Sequence, residues 1–137
     1  MSKDLLTISR SILFAVCGAL LMSACSTAIV RDSGLDKLAP RKAEQELSAG
    51  LKSYEDGNYV QAQKQIQNAL NNDLTFKKDR VTAHKYLAFI YCADGRMGPC
   101  RDEFRAALDI DPSMQLAPAE AGHPVWGPVF RSVKAGR

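Results

Sequence analysis

The sequence predicts an all-α protein built from two helical hairpins and a short C-terminal capping helix. Three observations carry that expectation. Apolar residues recur three and four positions apart in four successive segments, the spacing that lines one face of a helix. The chain beyond Cys25 contains no strong alternation of apolar and polar residues, the mark of a half-buried strand. Two stretches, "YEDGNYVQAQKQIQNAL" and "YCADGRMGPCRDEFRAAL", share their landmarks at a fixed offset of 38 residues. Gly57 falls on Gly95, Ala62 on Cys100, Ile66 on Phe104, Ala69 on Ala107 and Leu70 on Leu108, the signature of an internal repeat.

The elements follow in order. Lys3 and Arg10 precede an apolar run from Ile12 to Met22 that ends at small residues. It is too short to span a bilayer comfortably and has the layout of a secretory signal over residues 1–24. The boundary "LMSAC", Leu21 to Cys25, resembles the lipobox of bacterial lipoproteins. Met22 stands where leucine is usual, while Ser23 and Ala24 fit. The resemblance implies that Cys25 is acylated and becomes the first residue of the mature chain. Several acyl chains hold a protein on a membrane without crossing it. Ser26, in place of the aspartate that retains such proteins at the inner membrane, implies the periplasmic face of an outer membrane.

Loss of residues 1–24 removes Lys3, Arg10 and Asp4 and leaves 16 basic against 14 acidic residues among 113. That balance argues neither for nucleic acid nor for a strongly charged partner, and no nucleic acid is expected. Residues 25–38 form the lipidated cysteine and a tether with little periodicity. Thirteen such residues reach about 45 Å when stretched and about 20 Å on average.

The repeat region spans residues 39–112. A first helix is predicted from about Pro40 to Glu55, with Ala43, Leu47, Leu51 and Tyr54 on one face. "EDGNY" turns the chain into a second helix from Tyr59 to about Asn72. A connector over residues 73–79 leads to a third helix from about Arg80 to Ala93. The fourth opens at Pro99 and closes before Asp111-Pro112, because proline disfavours a helical predecessor. Residues 113–137 form a capping segment broken up by three prolines and three glycines, with a short helix expected over about Trp126–Val133.

The repeat resembles the tetratricopeptide family. Leu87, Ala88, Tyr91, Gly95, Phe104, Ala107 and Pro112 match that pattern in the second unit, with Cys100 in place of alanine. Gly50, Gly57, Tyr59, Ala62 and Ala69 match it in the first, where Ser53 stands near the expected tyrosine and no terminal proline follows. The resemblance implies a right-handed helical repeat, with Gly50 against Ala62 and Ala88 against Cys100 where helices touch. It also implies a partner-binding groove formed by Glu44, Leu47, Leu51, Tyr54, Lys85, Tyr86 and Phe89. Two units need capping, since one repeat cannot bury its own apolar face. Trp126, Val129 and Phe130 are the capping residues, expected to dock against part of the groove as a lid that a partner displaces.

Cys92 and Cys100 lie equally far from a bend at about Arg96, so their backbones can reach the roughly 5.5 Å that a disulfide needs. With Cys17 lost and Cys25 lipidated, they remain as a pair in an oxidising compartment. A structural disulfide is the expectation, and two buried thiols are the alternative. A zinc site from Cys92, Cys100, His84 and His123 lacks closely paired ligands, and a redox pair lacks the C-x-x-C spacing. His84 and His123 are read as structural, and Asp94, Asp102 and Glu103 as solvated. No nucleophile or phosphate-binding motif is present, so no enzyme, cofactor, metal or small-molecule substrate is expected.

The layout as a whole, with the cysteine hairpin and the tail "PAEAGHPVWGPVFR", resembles the small TssQ-like lipoproteins of type VI secretion clusters. That implies an outer-membrane-anchored adaptor for a protein partner in the secretion envelope complex. The alternatives are a pilotin-like or assembly-factor lipoprotein chaperoning an outer-membrane client, and a purely structural lipoprotein.

Overall fold

A computed structural model describes residues 41–137. The signal over 1–24, the lipidation at Cys25 and the tether to residue 38 lie outside the described residues. Within them the fold is all-α, with no strand among the described residues. Six helices follow one another: α1 (Lys42–Glu55), α2 (Tyr59–Asn71), α3 (Lys77–Ala93), α4 (Met97–Ile110), α5 (Pro118–Ala121) and α6 (Trp126–Ala135). None of these is long and apolar enough to cross a membrane.

The pairs α1–α2 and α3–α4 are hairpins with one shared turn. Gly57 and Gly95 hold φ of 76° and 73°, a backbone region that glycine enters without strain. The Gly57 N–H donates to the Tyr54 carbonyl at 3.0 Å and the Asn58 N–H to Ser53 at 2.8 Å. Thirty-eight residues on, Gly95 donates to Cys92 at 3.1 Å and Arg96 to Tyr91 at 2.8 Å. Both helix ends thus satisfy their last carbonyls through a left-handed glycine. Asn58 adds a side-chain cap, accepting from the Gln61 N–H at 3.4 Å; Arg96 supplies none.

Two helix starts differ from the expected ones. α3 begins at Lys77, three residues before Arg80, because Phe76 takes an extended conformation and its carbonyl accepts from Asp79 and Arg80. The connector expected over 73–79 therefore shrinks, and Leu74 within it is buried. α4 begins at Met97, with Pro99 in its first turn, where a missing N–H costs nothing. The four-residue α5 has no counterpart in the sequence prediction.

The core runs through every one of these helices except α5. Ala62, Ile66 and Ala69 of α2 face α1 and α3, and Cys100, Phe104, Ala107 and Leu108 of α4 lie between α3 and α6. Burying each large apolar side chain contributes about 1.5–3 kcal/mol. The close approach in the first hairpin falls at a different pair from the one expected. A Cβ on Gly50 would lie 2.6 Å from Ile66 Cγ1, so the nearest neighbour of Gly50 across the hairpin is Ile66. The reason is the hairpin itself: Gly50 and Ile66 each lie eight positions from Asn58.

Candidate functional site

The second hairpin closes on its cysteines. Cys92 and Cys100 are bonded with their Cα atoms 5.2 Å apart, and both are buried. Each is four positions from Arg96, so the pairing that places Gly50 on Ile66 places these sulfurs on each other. His84 Nδ1 lies 2.6 Å from Glu103 Oε2 across the same hairpin. Glu103 is therefore a partly buried partner, unlike the solvated residue expected, and Asp94 and Asp102 are exposed. Among the described residues no group of three or more His, Cys, Asp or Glu side chains gathers around a point where a metal ion would sit.

The groove residues separate into two kinds. Leu47 and Phe89 are core, 5 % and 2 % exposed, and cannot present a surface. α3 packs against α2 on one side and α6 on the other, so its groove-facing row is largely covered. Glu44 and Lys85 are occupied. Glu44 Oε1 accepts from the Thr75 N–H at 3.3 Å and the Thr75 hydroxyl at 3.1 Å, tying the connector back to α1. Its partial burial works against ionisation, but hydrogen bonds from its own N–H and from Thr75, with Arg41 nearby, hold the carboxyl below its usual value. Lys85 pairs with Glu120 of α5 at 2.6 Å.

Leu51, Tyr54 and Tyr86 remain half-buried, and the two tyrosines belong to a row of rings. Tyr59 lies 5.3 Å from Tyr54, Tyr54 4.9 Å from Tyr86, Tyr86 5.7 Å from Phe89 and Phe89 4.7 Å from Trp126. Most of these pairs are tilted or edge-on, the arrangement that ring quadrupoles favour. Burial, with Tyr59, Tyr86 and the Glu120 carboxylate close by, pushes the Tyr54 hydroxyl up to about 12. It stays protonated at any physiological pH. Lys85 Nζ sits 4.9 Å from the Tyr86 ring centre, so the row carries a cation beside it.

The capping residues reach different places. Trp126 stacks on Phe89 and, on its other side, on His123. Phe130 packs edge-on against Phe104 of α4, 5.2 Å away, and Val129 is half-buried beside it. The C-terminal segment thus caps the second hairpin with α6 and covers one end of the ring row with Trp126. Sequence reasoning missed Tyr59, whose 45 % exposure makes it the open end of the row, although its place just across the turn from Tyr54 pointed there. It also missed Glu120, for which no local signal exists. No protein-family model, curated protein or solved structure matches the chain.

Proposed function

We propose that this protein is an outer-membrane-anchored periplasmic adaptor, held by lipid on Cys25, that binds a protein partner through its tetratricopeptide-like hairpins. The observation that carries the proposal is the row of rings from Tyr59 through Tyr54 and Tyr86 to Phe89, half-open at one end. Rigid aromatic side chains with polar tips bind protein surfaces at little entropic cost. The recurrence of one turn geometry at a 38-residue offset supports the repeat reading, and the lipobox-like "LMSAC" supports the anchor. The adaptor serves type VI secretion as an accessory lipoprotein, on the resemblance of its hairpin and tail.

Photo-crosslinking amino acids placed at Tyr59 and Tyr86 in living cells test this. Adducts with proteins of the secretion envelope complex are expected. Adducts with a β-barrel client instead would make the protein an assembly chaperone, and no adduct at either position would make it a structural lipoprotein. Mass spectrometry of the mature N-terminus should find acyl groups on Cys25; an unmodified chain starting at Met1 would overturn the anchor.

A further inference from the structure

The chain itself shows what fits the covered end of the groove. Residues 117–126 run as a strap past α3, and two of their side chains meet groove residues. The Glu120 carboxylate accepts from Lys85, and the Trp126 indole lies on Phe89. Besides these, Ala121 of the strap lies partly buried against the core. None of the four residues of α5 is buried. Arg131 donates to the Ala121 carbonyl at 3.1 Å, and Gly127 lies so close to that oxygen that a Cβ there would collide with it.

The strap also carries a defect. The Trp126 indole N–H is buried with no acceptor, a cost that is relieved when the ring reaches water. The chain on either side is anchored independently of the strap. Met114 and Leu116 are buried before it, and Phe130 and Val133 after it. Lys134 donates to the Met114 carbonyl at 2.5 Å, and Arg137 pairs with Asp109 of α4 at 2.5 Å. These contacts hold α6 from Phe130 onward without drawing on the strap, whose last residue, Trp126, is also the first residue of α6.

Charge on α3 selects what replaces it. Lys85 shares a cavity of about 420 Å³ with Lys77 and Lys78, over a floor of Val81 and Met114, and Asp111 is the acid in that lining. None of the ion pairs among the described residues uses Lys77 or Lys78. We infer that the groove takes an acidic segment of a protein partner that carries an aromatic ring, and that residues 117–126 stand in for it in the free protein. The partner's carboxylate replaces Glu120 on Lys85 and its ring replaces Trp126 on Phe89, while Tyr54, Tyr59 and Tyr86 provide the open surface on which it first lands. This inference rests on the adaptor reading above.

A labelled synthetic peptide with the strap's own sequence, residues 117–130, is the probe, titrated against the full chain in detergent. Wild type should bind it weakly because the strap competes. Trp126→Ala and, independently, Glu120→Gln should bind it about tenfold more tightly, since an occupied site lowers apparent affinity by the fraction of open molecules. Lys85→Glu added to either variant should abolish binding, as should replacing both the glutamate and the tryptophan of the peptide. Gly127→Ala, which pushes on the Ala121 carbonyl, should act like Glu120→Gln. Equal binding by wild type and by Glu120→Gln with unchanged far-ultraviolet circular dichroism would overturn the inference, as would tight binding of the doubly substituted peptide. Crosslinks from Tyr59 or Tyr86 to a partner in cells, obtained alongside such a failure, would leave the adaptor standing and remove only the strap mimicry.

Discussion

Hairpin α1–α2 and hairpin α3–α4 bend through the same pair of backbone hydrogen bonds, yet α3 buries seven residues where α1 buries three. The excess belongs to position and not to the repeat. α3 has α2 on one flank and α6 on the other, and α4 packs on α3 and α6, whereas the outer face of α1 and α2 has no neighbour among the described residues. Equivalent residues show the consequence: Leu108 is fully buried and Leu70, 38 positions earlier, is half-buried. The hairpins also differ in how their arms are tied. Cys92 and Cys100 occupy the positions that Tyr54 and Ala62 hold in the first unit. Where the second hairpin has a covalent clasp, the first offers a tyrosine to the ring row. Local geometry repeats, and the work each copy does is set by what surrounds it.

The largest effect expected from this contrast is at the paired positions Phe104 and Ile66. Phe104 is fully buried between the rings of Phe89 and Phe130, so Phe104→Ala should cost about 3–5 kcal/mol. Ile66→Ala should cost about 2–3 kcal/mol, because its neighbours on the free flank can relax into the space. Urea titrations followed at 222 nm measure both, and equal losses would dissolve the distinction between hairpins.

Removing the clasp comes next. The double substitution Cys92→Ala, Cys100→Ala should lower stability by about 2–3 kcal/mol through the freed loop in the unfolded chain. Conversely, Tyr54→Cys with Ala62→Cys should oxidise to a second disulfide, read as the absence of any labelled thiol at those sites in the denatured, unreduced protein. Two reactive thiols there would mean the turns are alike only in their hydrogen bonds.

Gly50→Ala sets two terms against each other. Alanine gains about 1 kcal/mol in helix propensity, but its Cβ would meet Ile66 Cγ1 at 2.6 Å and the Ile66 backbone nitrogen at 3.1 Å. Overpacking against backbone costs about 1–3 kcal/mol, so a net loss of about 1 kcal/mol is expected from the shift in urea midpoint. A stabilised variant would show that the helices of the first hairpin can move apart freely.

The smallest effect concerns pH. Each hairpin has one latching carboxyl held below its ordinary value, Glu44 by Thr75 and Asp111 by the hydroxyl and N–H of Ser113. A lowered folded value means that the stabilisation is complete above the unfolded values of 4.5 and 3.8 and is lost as pH falls through the folded ones. The fall in urea midpoint below about pH 4.5 should therefore be shallower in Glu44→Gln and in Asp111→Asn than in wild type. Parallel curves would show that neither latch contributes.

Much of this was legible in the chain. The apolar spacing located α1 to α4, Gly57 and Gly95 marked both turns, and counting outward from Arg96 paired the cysteines. The same count, applied to Gly50, would have found Ile66. The exposure of the groove was not legible. Leu47 and Phe89 are as apolar as any binding residue, and only the arrival of α3's neighbours makes them core. Glu44 and Lys85 read as free charges because their partners, Thr75 and Glu120, lie 31 and 35 positions away.

What the sequence determined by itself are the helices, the two turns and the cysteine pairing, since each depends on residues within about one hairpin of one another, where backbone hydrogen bonding and helical period dictate position. Which face of α3 became core, where the strap lies, and which end of the ring row stays open were decided by the tertiary structure. Those outcomes depend on competition among several apolar and charged groups far apart in the chain, and no local pattern records which of them wins.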